Sequence, residues 1–425
     1  MIPIKGQGRF FAMLTGIIPL LRNGYIRTIL MSTLFSQTGI WIRNFAVLLD
    51  VAETTGGDAL AVSMISVAEY APIFAFSFVG GVFADRWRPK RTIVWCECLS
   101  SLSVFAVFAL LEAGAWRAVF LAAFCSSALS QFALPSGMKL FKNCVRDEEA
   151  TAAMSLLQTL TSVFMVIGPI LGTLAYERLG MDVSVLATGA CFLLSAVALT
   201  FVPPDPKPSF ASNNRESPAP SLLREMRDGL RYVWANKMLL KLTACFTLVG
   251  FGAGWISPLG IFLVTERLGL PPEAVQWISI PYGAGEVIGG IATFALAAKI
   301  APKRLLMIGL LVDGIGIVLA GLSPALWLTM TAQFAIALLQ PAIFVGNNAL
   351  VMMQVDQAYI GRVMGIRTPL MTGAMLLAMS AAGVAAKTLS LPVVYALAGI
   401  CFVSGFGLLL PLLRREDRGE PSEIG

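Results

Sequence analysis

The 425-residue sequence contains no histidine. Without an imidazole group it cannot build a Ser-His-Asp triad, a histidine metal site or a histidine proton relay. Charged residues are also scarce, at 13% against about 25% in an average soluble protein, while hydrophobic residues make up 57%. A chain of this composition cannot cover its surface with polar groups in water, so a soluble protein is excluded.

Further absences narrow the function. The seven cysteines are scattered, and the one close pair, Cys96 and Cys98, lacks the spacing of a structural zinc site. No G-x-x-x-x-G-K-[ST] phosphate loop is present, so ATP is not the expected energy source. No base-rich aromatic segment points to nucleic acid. We therefore expect no enzyme activity, no metal, no cofactor and no nucleic-acid partner.

Long hydrophobic runs, by contrast, recur along the whole chain. A helix needs about 20 mostly apolar residues to cross about 30 Å of hydrocarbon. The sequence predicts a polytopic α-helical membrane protein with twelve such spans. They lie near residues 26–50, 59–83, 92–114, 116–138, 152–176, 183–203, 240–264, 274–298, 304–322, 325–348, 362–385 and 391–413.

A polar linker divides these spans into two groups of six. The stretch 203–221 is rich in Pro, Ser and Asn, and the following LLREMRDGLRYVWANK predicts an amphipathic helix on the cytoplasmic membrane surface. Phe10–Leu21 lacks a cleavage site and predicts an interfacial helix instead of a signal peptide. The predicted domains are an interfacial segment at 1–25, an N-terminal bundle at 26–203, a linker at 204–239, a C-terminal bundle at 240–413 and a tail at 414–425.

The basic residues predict the orientation. An even number of spans places both termini on one side, and that side receives 26 of the 31 Lys and Arg residues, Arg367 among them. The other side receives four, and Arg43 falls inside a span. Because basic residues accumulate on the cytoplasmic side, both termini are expected there.

Two motifs stand out among the loops and spans. The hairpin GGVFADRWRPKR, residues 80–91, matches the frame G-x-x-x-D-R-x-G-R-[RK] except at Arg88 and Pro89. The predicted fifth span holds G-P-x-x-G, although Thr173 replaces a further glycine. The matching residues are Gly81, Asp85, Arg86, Lys90 and Arg91 in the hairpin, and Gly168, Pro169 and Gly172 in the span.

These motifs, and two groups of six spans around a cytoplasmic linker, resemble the major facilitator superfamily of secondary transporters. The stretches SQTGIWIRNFAV, FADRWRPKR and LREMRDGLRYVWANK are similar to its bacterial siderophore and macrolide efflux branch. The resemblance implies two six-helix bundles in the bacterial inner membrane. It also implies that Asp85 meets the start of span 11, near Arg362, and closes the cytoplasmic face.

Four charged residues inside spans are candidates for coupling, because charge in the membrane is costly and usually functional: Arg43, Glu69, Glu286 and Asp313. Arg43 and Glu69 lie at similar depth in adjacent spans and are predicted to pair. Burial raises the pKa of a carboxyl and a nearby guanidinium lowers it. Together they can hold the pKa near neutrality, where the carboxyl binds and releases a proton reversibly. Glu69 is therefore the predicted proton-coupling acid, and a static ion pair is the alternative.

The resemblance also implies which of these charged residues face a central cavity. It implies that spans 1, 2, 7 and 8 border a central cavity, so Glu69 and Glu286 are expected to face it. Glu286 would bind solute or a second proton, or would stay permanently protonated. Span 9, with Asp313, is expected to be peripheral. Glu97, near the cytoplasmic end of span 3, is expected to snorkel or to join the hairpin network.

The excess of acidic over basic groups inside the spans favours a cationic or zwitterionic solute. Gln340 and Asn347 of span 10 either contact solute or hold helices together. We expect a monomeric, proton-coupled exporter of a small organic molecule such as a drug or metallophore. One alternative is a transporter of lipid-like solutes, or an importer, on the same fold. Another is a sensor or scaffold that transports nothing. Candidate solute contacts are Gln37, Trp41, Asn44, Tyr70, Trp255, Tyr282 and Glu286.

Overall fold

The computed structural model describes residues 23–144, 147–202, 222–297, 299–356 and 359–416. Within these ranges some side chains are not described, including those of 77–86, 141–144, 147–155, 222–226 and 412–416. The predicted interfacial helix at Phe10–Leu21, residues 204–221 of the linker and the tail from 417 onward lie outside the described residues.

Helices make up nearly all of the described chain, and no strand occurs in it. The long helices are α1 Gly24–Thr54, α2 Ala59–Arg86, α3 Pro89–Glu112, α4 Ala118–Cys144, α5 Asp147–Thr200, α6 Leu222–Ala235, α7 Lys237–Ile256, α8 Val275–Ala297, α9 Pro302–Leu322, α10 Leu326–Gln354, α11 Ile360–Leu389 and α12 Leu391–Glu416. Short helical turns continue α7 as far as Arg267 and precede α8 at Pro272–Ala274.

Eight helical stretches in the described ranges are long and apolar enough to cross a membrane. The predicted class of multi-pass α-helical membrane protein is thereby confirmed. One of the eight, Leu156–Thr200, is 45 residues long and covers most of both the predicted fifth span, 152–176, and the predicted sixth span, 183–203. Gly180 breaks it with φ 74°, a backbone conformation that glycine adopts without a Cβ clash.

The chain divides into two compact units. Unit 1 consists of Met1–Val47 and Ala75–Ser212, and unit 2 consists of Leu48–Phe74 and Asn213–Gly425. The divisions therefore fall inside α1 and α2. The predicted domain boundaries, which follow the linker, stay a prediction.

Unit 1 is held together by apolar clusters between α3, α4 and α5. Val104 of α3 packs with Val185 and Phe192 from the second half of α5, and Val107 packs with Ala118 and Ala122 of α4. A third cluster joins these three helices near the cytoplasmic end predicted from charge, through Ile93, Leu140 and Leu199.

In unit 2, α8, α9 and α10 pack side by side, while α7 and α9 both pack against α12, and α7 also packs against α11. Asn236 begins α7 by accepting hydrogen bonds at Oδ1 from the backbone N–H groups of Met238 and Leu239, at 2.9 and 3.1 Å. Such a cap satisfies donors that have no partner inside the helix.

The amphipathic helix α6 docks on protein within unit 2. Its Gly229 lies so close to α11 that an added Cβ would come within 2.9 Å of the Arg362 carbonyl oxygen. Tyr232 stacks on Tyr359, with 4.6 Å between ring centroids, and donates a hydrogen bond to Asp356 Oδ2. The predicted surface helix is thus anchored to the corner between α10 and α11.

Candidate functional site

One predicted solute contact of α1, Trp41, lies against α5 in unit 1. Gln37, Trp41 and Asn44 share one face of α1, because positions four and three residues apart point the same way. A Cβ on Gly168 would collide with the Trp41 ring, and one on Gly172 would lie 2.5 Å from Phe45 Cβ. The glycines of the fifth-span motif therefore make room for the aromatic side chains of α1.

Arg43 is buried and bonds to its neighbour in the chain. Its Nη2 and Nε atoms donate to Asn44 Oδ1, at 2.8 and 3.2 Å. Asn44, a predicted solute contact, thus orients the guanidinium through its side-chain amide oxygen. Pairing of Arg43 with Glu69, a half-buried residue of α2 assigned to unit 2, stays a prediction.

Several polar groups gather within unit 2. Tyr282 of α8 donates a hydrogen bond to Gln340 Oε1 of α10, and Glu286 lies one turn further along α8. The carboxyls of Glu286 and Asp313, and the Tyr70 phenol, are all near enough to interact electrostatically with Tyr282. Three predicted residues, Tyr70, Tyr282 and Glu286, therefore lie in the same region of unit 2, with Tyr70 and Glu286 within electrostatic range of Tyr282. We call these three, with Asp313 and Gln340, the α8 polar cluster.

Asp313 lies on the buried face of α9, where its side chain is 1% exposed. The opposite face of α9 exposes Ile308, Ile315 and Leu319, and the peripheral place expected for span 9 stays a prediction. The Asp313 Oδ1 atom is buried and has no hydrogen-bond partner among the described residues. Trp255, the remaining predicted solute contact, is half-buried on α7 and meets Phe251 edge-on at 5.8 Å.

Comparison with known proteins identifies the family. A family model described as Major Facilitator Superfamily matches residues 29–264 and 242–425. The chain belongs to the major facilitator superfamily. The resemblance inferred from the hairpin and fifth-span motifs is therefore confirmed.

Individual facilitators agree with this assignment. The chain is 26% identical over 348 residues to the uncharacterized MFS-type transporter YkuC of Bacillus subtilis, covering 80% of each chain. It is 24% identical to macrolide efflux protein A of Streptococcus pyogenes, covering 79% of this chain and 82% of that protein. A crystal structure of a mutant of the nucleoside transporter NupG shares the fold, with TM-score 0.74, 14% identity and coverage of 92% of this chain and 99% of that one.

The facilitator's hairpin is described in part. Gly81, Asp85 and Arg86 lie in the last turns of α2, but their side chains are outside the described set, so the contact of Asp85 with α11 stays a prediction. Lys90 Nζ donates to the carbonyl oxygens of Thr200 and Val202 at the end of α5, which places a positive charge at a helix C-terminus.

The other two predicted gate residues differ in their surroundings. Arg91 is exposed on α3. The Arg362 guanidinium lies 5.2 Å from the Tyr359 ring centroid, and its backbone contacts α6 at Gly229. Arg362 is therefore held at the corner where α6 docks.

Two polar sites escaped the sequence analysis. Arg367, counted with the cytoplasmic basic residues, has a side chain only 2% exposed inside unit 2, and the side of the membrane on which it lies stays a prediction. Its Nη2 donates to Asn347 Oδ1 at 3.0 Å and to the Leu242 carbonyl oxygen at 3.3 Å. Asn347 thus holds α10 to α11, one of the two roles expected for it.

Glu97 is the second. Instead of snorkelling to the surface, its carboxyl turns into unit 1 and accepts a hydrogen bond at Oε1 from Ser36 Oγ of α1, at 3.2 Å. The sequence signal was present, since Ser32 and Ser36 are one turn apart on α1. Which helix they face cannot be read from that spacing.

Proposed function

We propose that this facilitator is a proton-coupled exporter of a small organic solute, acting as a monomer by alternating access in the bacterial inner membrane. The twelve hydrophobic runs of the sequence support an even number of spans, and the excess of basic residues on one side supports both termini in the cytoplasm. The observation that carries the proposal is the α8 polar cluster, in which Tyr282 bonds Gln340 beside the acids Glu286 and Asp313. Similarity to macrolide efflux protein A supports export.

Protons are the proposed coupling ion. An ionised acid inside a bilayer is energetically costly, and acids found there often take part in proton transfer. Glu69 is the proposed coupling acid, Arg43 tunes it, and Glu286 binds either the solute or a second proton. Arg43 suits this role because Asn44 holds its guanidinium in one orientation.

The proposed solute is cationic or zwitterionic, and it is recognised by aromatic and amide groups. Tyr70 and Tyr282 meet this description in unit 2, together with Trp255 on α7. Gln37, Trp41 and Asn44 contribute the corresponding face of α1 in unit 1. Aromatic faces stabilise a cation, and buried amides favour a solute that offers a matching hydrogen-bonding group.

Alternating access requires a contact that opens and closes on the cytoplasmic side. We propose that Asp85 accepts hydrogen bonds from backbone N–H groups at the start of α11, beside Arg362. Docking of α6 through Gly229 and Tyr232 supports this, because it holds that end of α11 in place. The basic residues Arg86, Lys90 and Arg91 keep the hairpin in the cytoplasm.

Solute-driven proton movement in vesicles tests the function. Pure protein is reconstituted with a pH-sensitive dye inside, and metallophores, macrolides, cationic dyes and lysolipids are added in turn. We expect one solute class to move protons in the opposite direction. Glu69→Gln should abolish this movement, while Glu112→Gln, at the exposed end of α3, should retain it. Solute uptake without proton movement would favour an importer, and no movement with any solute would favour a sensor.

A further inference from the structure

A carboxyl surrounded by hydroxyl groups lies inside unit 1, away from the proposed coupling acids. Ser36 donates to Glu97 Oε1 at 3.2 Å, and the hydroxyls of Ser32 and Ser195 lie 2.8 Å apart. Ser195 is also near enough to the Glu97 carboxyl to interact with it. Helices α1, α3 and α5 thus each contribute to one polar site, which we call the Glu97 site.

The Glu97 site lies within the depth of the bilayer. Glu97 is eight residues beyond Pro89, or about 12 Å along α3 from its first residue. Ile93 and Leu199, in the apolar cluster between α3, α4 and α5, lie one turn nearer the ends of their helices. The carboxyl is therefore separated from the cytoplasmic surface by hydrocarbon side chains.

No cation in the described part of unit 1 neutralises this carboxyl. Of the cysteines on these helices, Cys96 is near enough to the carboxyl to interact with it, and Cys191 lies one turn before Ser195 on α5. Among the basic side chains on the same helices, Arg27, Arg91 and Arg178 are exposed, and Arg43 and Lys90 are engaged elsewhere. Arg43 lies seven residues beyond Ser36, about 10 Å along α1, and bonds Asn44, while Lys90 bonds the end of α5.

These surroundings fit a neutral acid that can ionise. Glu97 Oε2 is buried and has no hydrogen-bond partner among the described residues. An ionised carboxylate here would lack a counter-charge among the described side chains, whereas a protonated one carries no charge to neutralise. Hydroxyl groups both donate and accept, so the serines can reorient to serve either form.

We propose that Glu97, with Ser32, Ser36 and Ser195, is a proton-binding site of its own, distinct from Glu69 and Glu286. A proton from water forms an O–H bond on the Glu97 carboxyl and leaves by breaking that same bond, so no other reactant is needed. The proposal goes beyond the proposed function, because the site binds a proton whether or not the protein couples protons to a solute.

Infrared difference spectroscopy of the full-length protein in lipid, without solute or gradient, tests this site. The C=O stretch of a protonated acid is distinct from the bands of a carboxylate and shifts in D₂O. Subtracting the spectrum of Glu97→Gln from that of the parent at neutral pH should leave one protonated-acid band. Subtracting the spectrum of Glu112→Gln, a matched change at the exposed end of α3, should leave none.

A second variant covers the case in which Glu97→Gln does not fold. Ser36→Ala removes the hydrogen bond to the Glu97 C=O group and should shift the protonated-acid band without removing it. The proposal is overturned if the parent minus Glu97→Gln difference contains only carboxylate bands, or if Ser36→Ala leaves every protonated-acid band in place. Carboxylate bands that move with Na⁺ but not with choline would assign the site to sodium instead.

Discussion

Lys387 Nζ lies 2.6 Å from Asp58 Oδ1, which ties the last turn of α11 to the start of α2 within unit 2. Asp58 Oδ1 also accepts the backbone N–H of Leu60 at 2.9 Å, so the same carboxylate caps α2. Close packing surrounds the pair, since an added Cβ on Gly383 would collide with Ala59 and Leu60. One side chain thus combines an ion pair with a helix cap.

The two roles of Asp58 can be separated by mutation. Asp58→Asn keeps a capping oxygen but loses the ion pair, whereas Asp58→Ala loses both. Because both side chains are more than a third exposed, we expect a coupling free energy with Lys387→Gln of about 0.2–1 kcal/mol. The cap should add about 1 kcal/mol to the cost of Asp58→Ala. Unfolding in detergent of the single and double variants measures the coupling energy of the ion pair and the contribution of the cap. A coupling energy of zero would contradict the expected contribution of the ion pair.

The same ion pair predicts a dependence of stability on pH. The hydrogen bond from Lys387, followed by that from the Leu60 N–H, holds the pKa of Asp58 below its usual 3.8. A lowered pKa means that the unfolded chain binds the proton first, so the stabilisation is complete above the usual pKa and is lost as pH falls through the lowered one. Acid unfolding of the parent and Asp58→Asn, compared between pH values around and below 3.8, measures this difference.

Gly168 should be intolerant of any side chain. Gly168→Ala forces the Trp41 ring away from α5, and overpacking of this kind costs about 1–3 kcal/mol. Gly137→Ala is the matched control, because an added Cβ there meets nothing within 4 Å. The melting temperature of the purified protein reports the change. If Trp41 is the obstacle, Gly168→Ala must cost less in a Trp41→Ala background, and strict additivity would exclude that explanation.

The buried Arg367–Asn347 pair predicts an asymmetric response. Asn347→Leu leaves the guanidinium without its side-chain acceptor, which should cost about 1–3 kcal/mol. The double change Arg367→Met, Asn347→Leu removes charge and acceptor together and should be less destabilising than Asn347→Leu alone. Thermal inactivation in detergent ranks the variants. Equal or greater loss in the double variant would show that the charge itself stabilises unit 2.

The bond between Tyr282 and Gln340 should matter to transport more than to folding. Tyr282→Phe removes the donor but keeps the ring, so the melting temperature should change little, since one hydrogen bond contributes about 0.5–1.5 kcal/mol. Solute affinity in the vesicle assay should fall by about two- to tenfold for the same loss of free energy in the solute complex. Tyr395→Phe, a buried tyrosine on α12 away from the α8 polar cluster, is the control.

The proposed cytoplasmic contact of Asp85 can be tested by labelling. Asp85→Asn weakens the interaction with the helix N-terminus, by about 0.3–1 kcal/mol, and should shift the resting population toward the inward-open state. A single cysteine placed on the cytoplasmic side should then react faster with a membrane-impermeant reagent. Equal labelling rates in the variant and the parent would leave the hairpin with only a topological role.

Class and family were accessible from local patterns. Hydrophobic runs long enough to cross a bilayer indicate membrane spans without any tertiary information. The hairpin around Asp85 and the Gly168–Gly172 motif are likewise recognisable from a short stretch of sequence. Individual charged residues were less predictable. Arg367 was counted with the cytoplasmic basic residues and Glu97 was expected to snorkel or to join the hairpin network, yet both side chains are turned into the interior of their units.

The sequence by itself therefore determined that this chain is a multi-pass helical facilitator, because hydropathy and backbone-restricting motifs act over a few turns of helix. Only the tertiary structure decided which polar groups meet. Ser36 reaches Glu97 across 61 residues, and Tyr282 reaches Gln340 across 58. The rotation of each helix about its axis selects these partners, and that rotation is set by packing such as Trp41 against Gly168, which no single helix encodes.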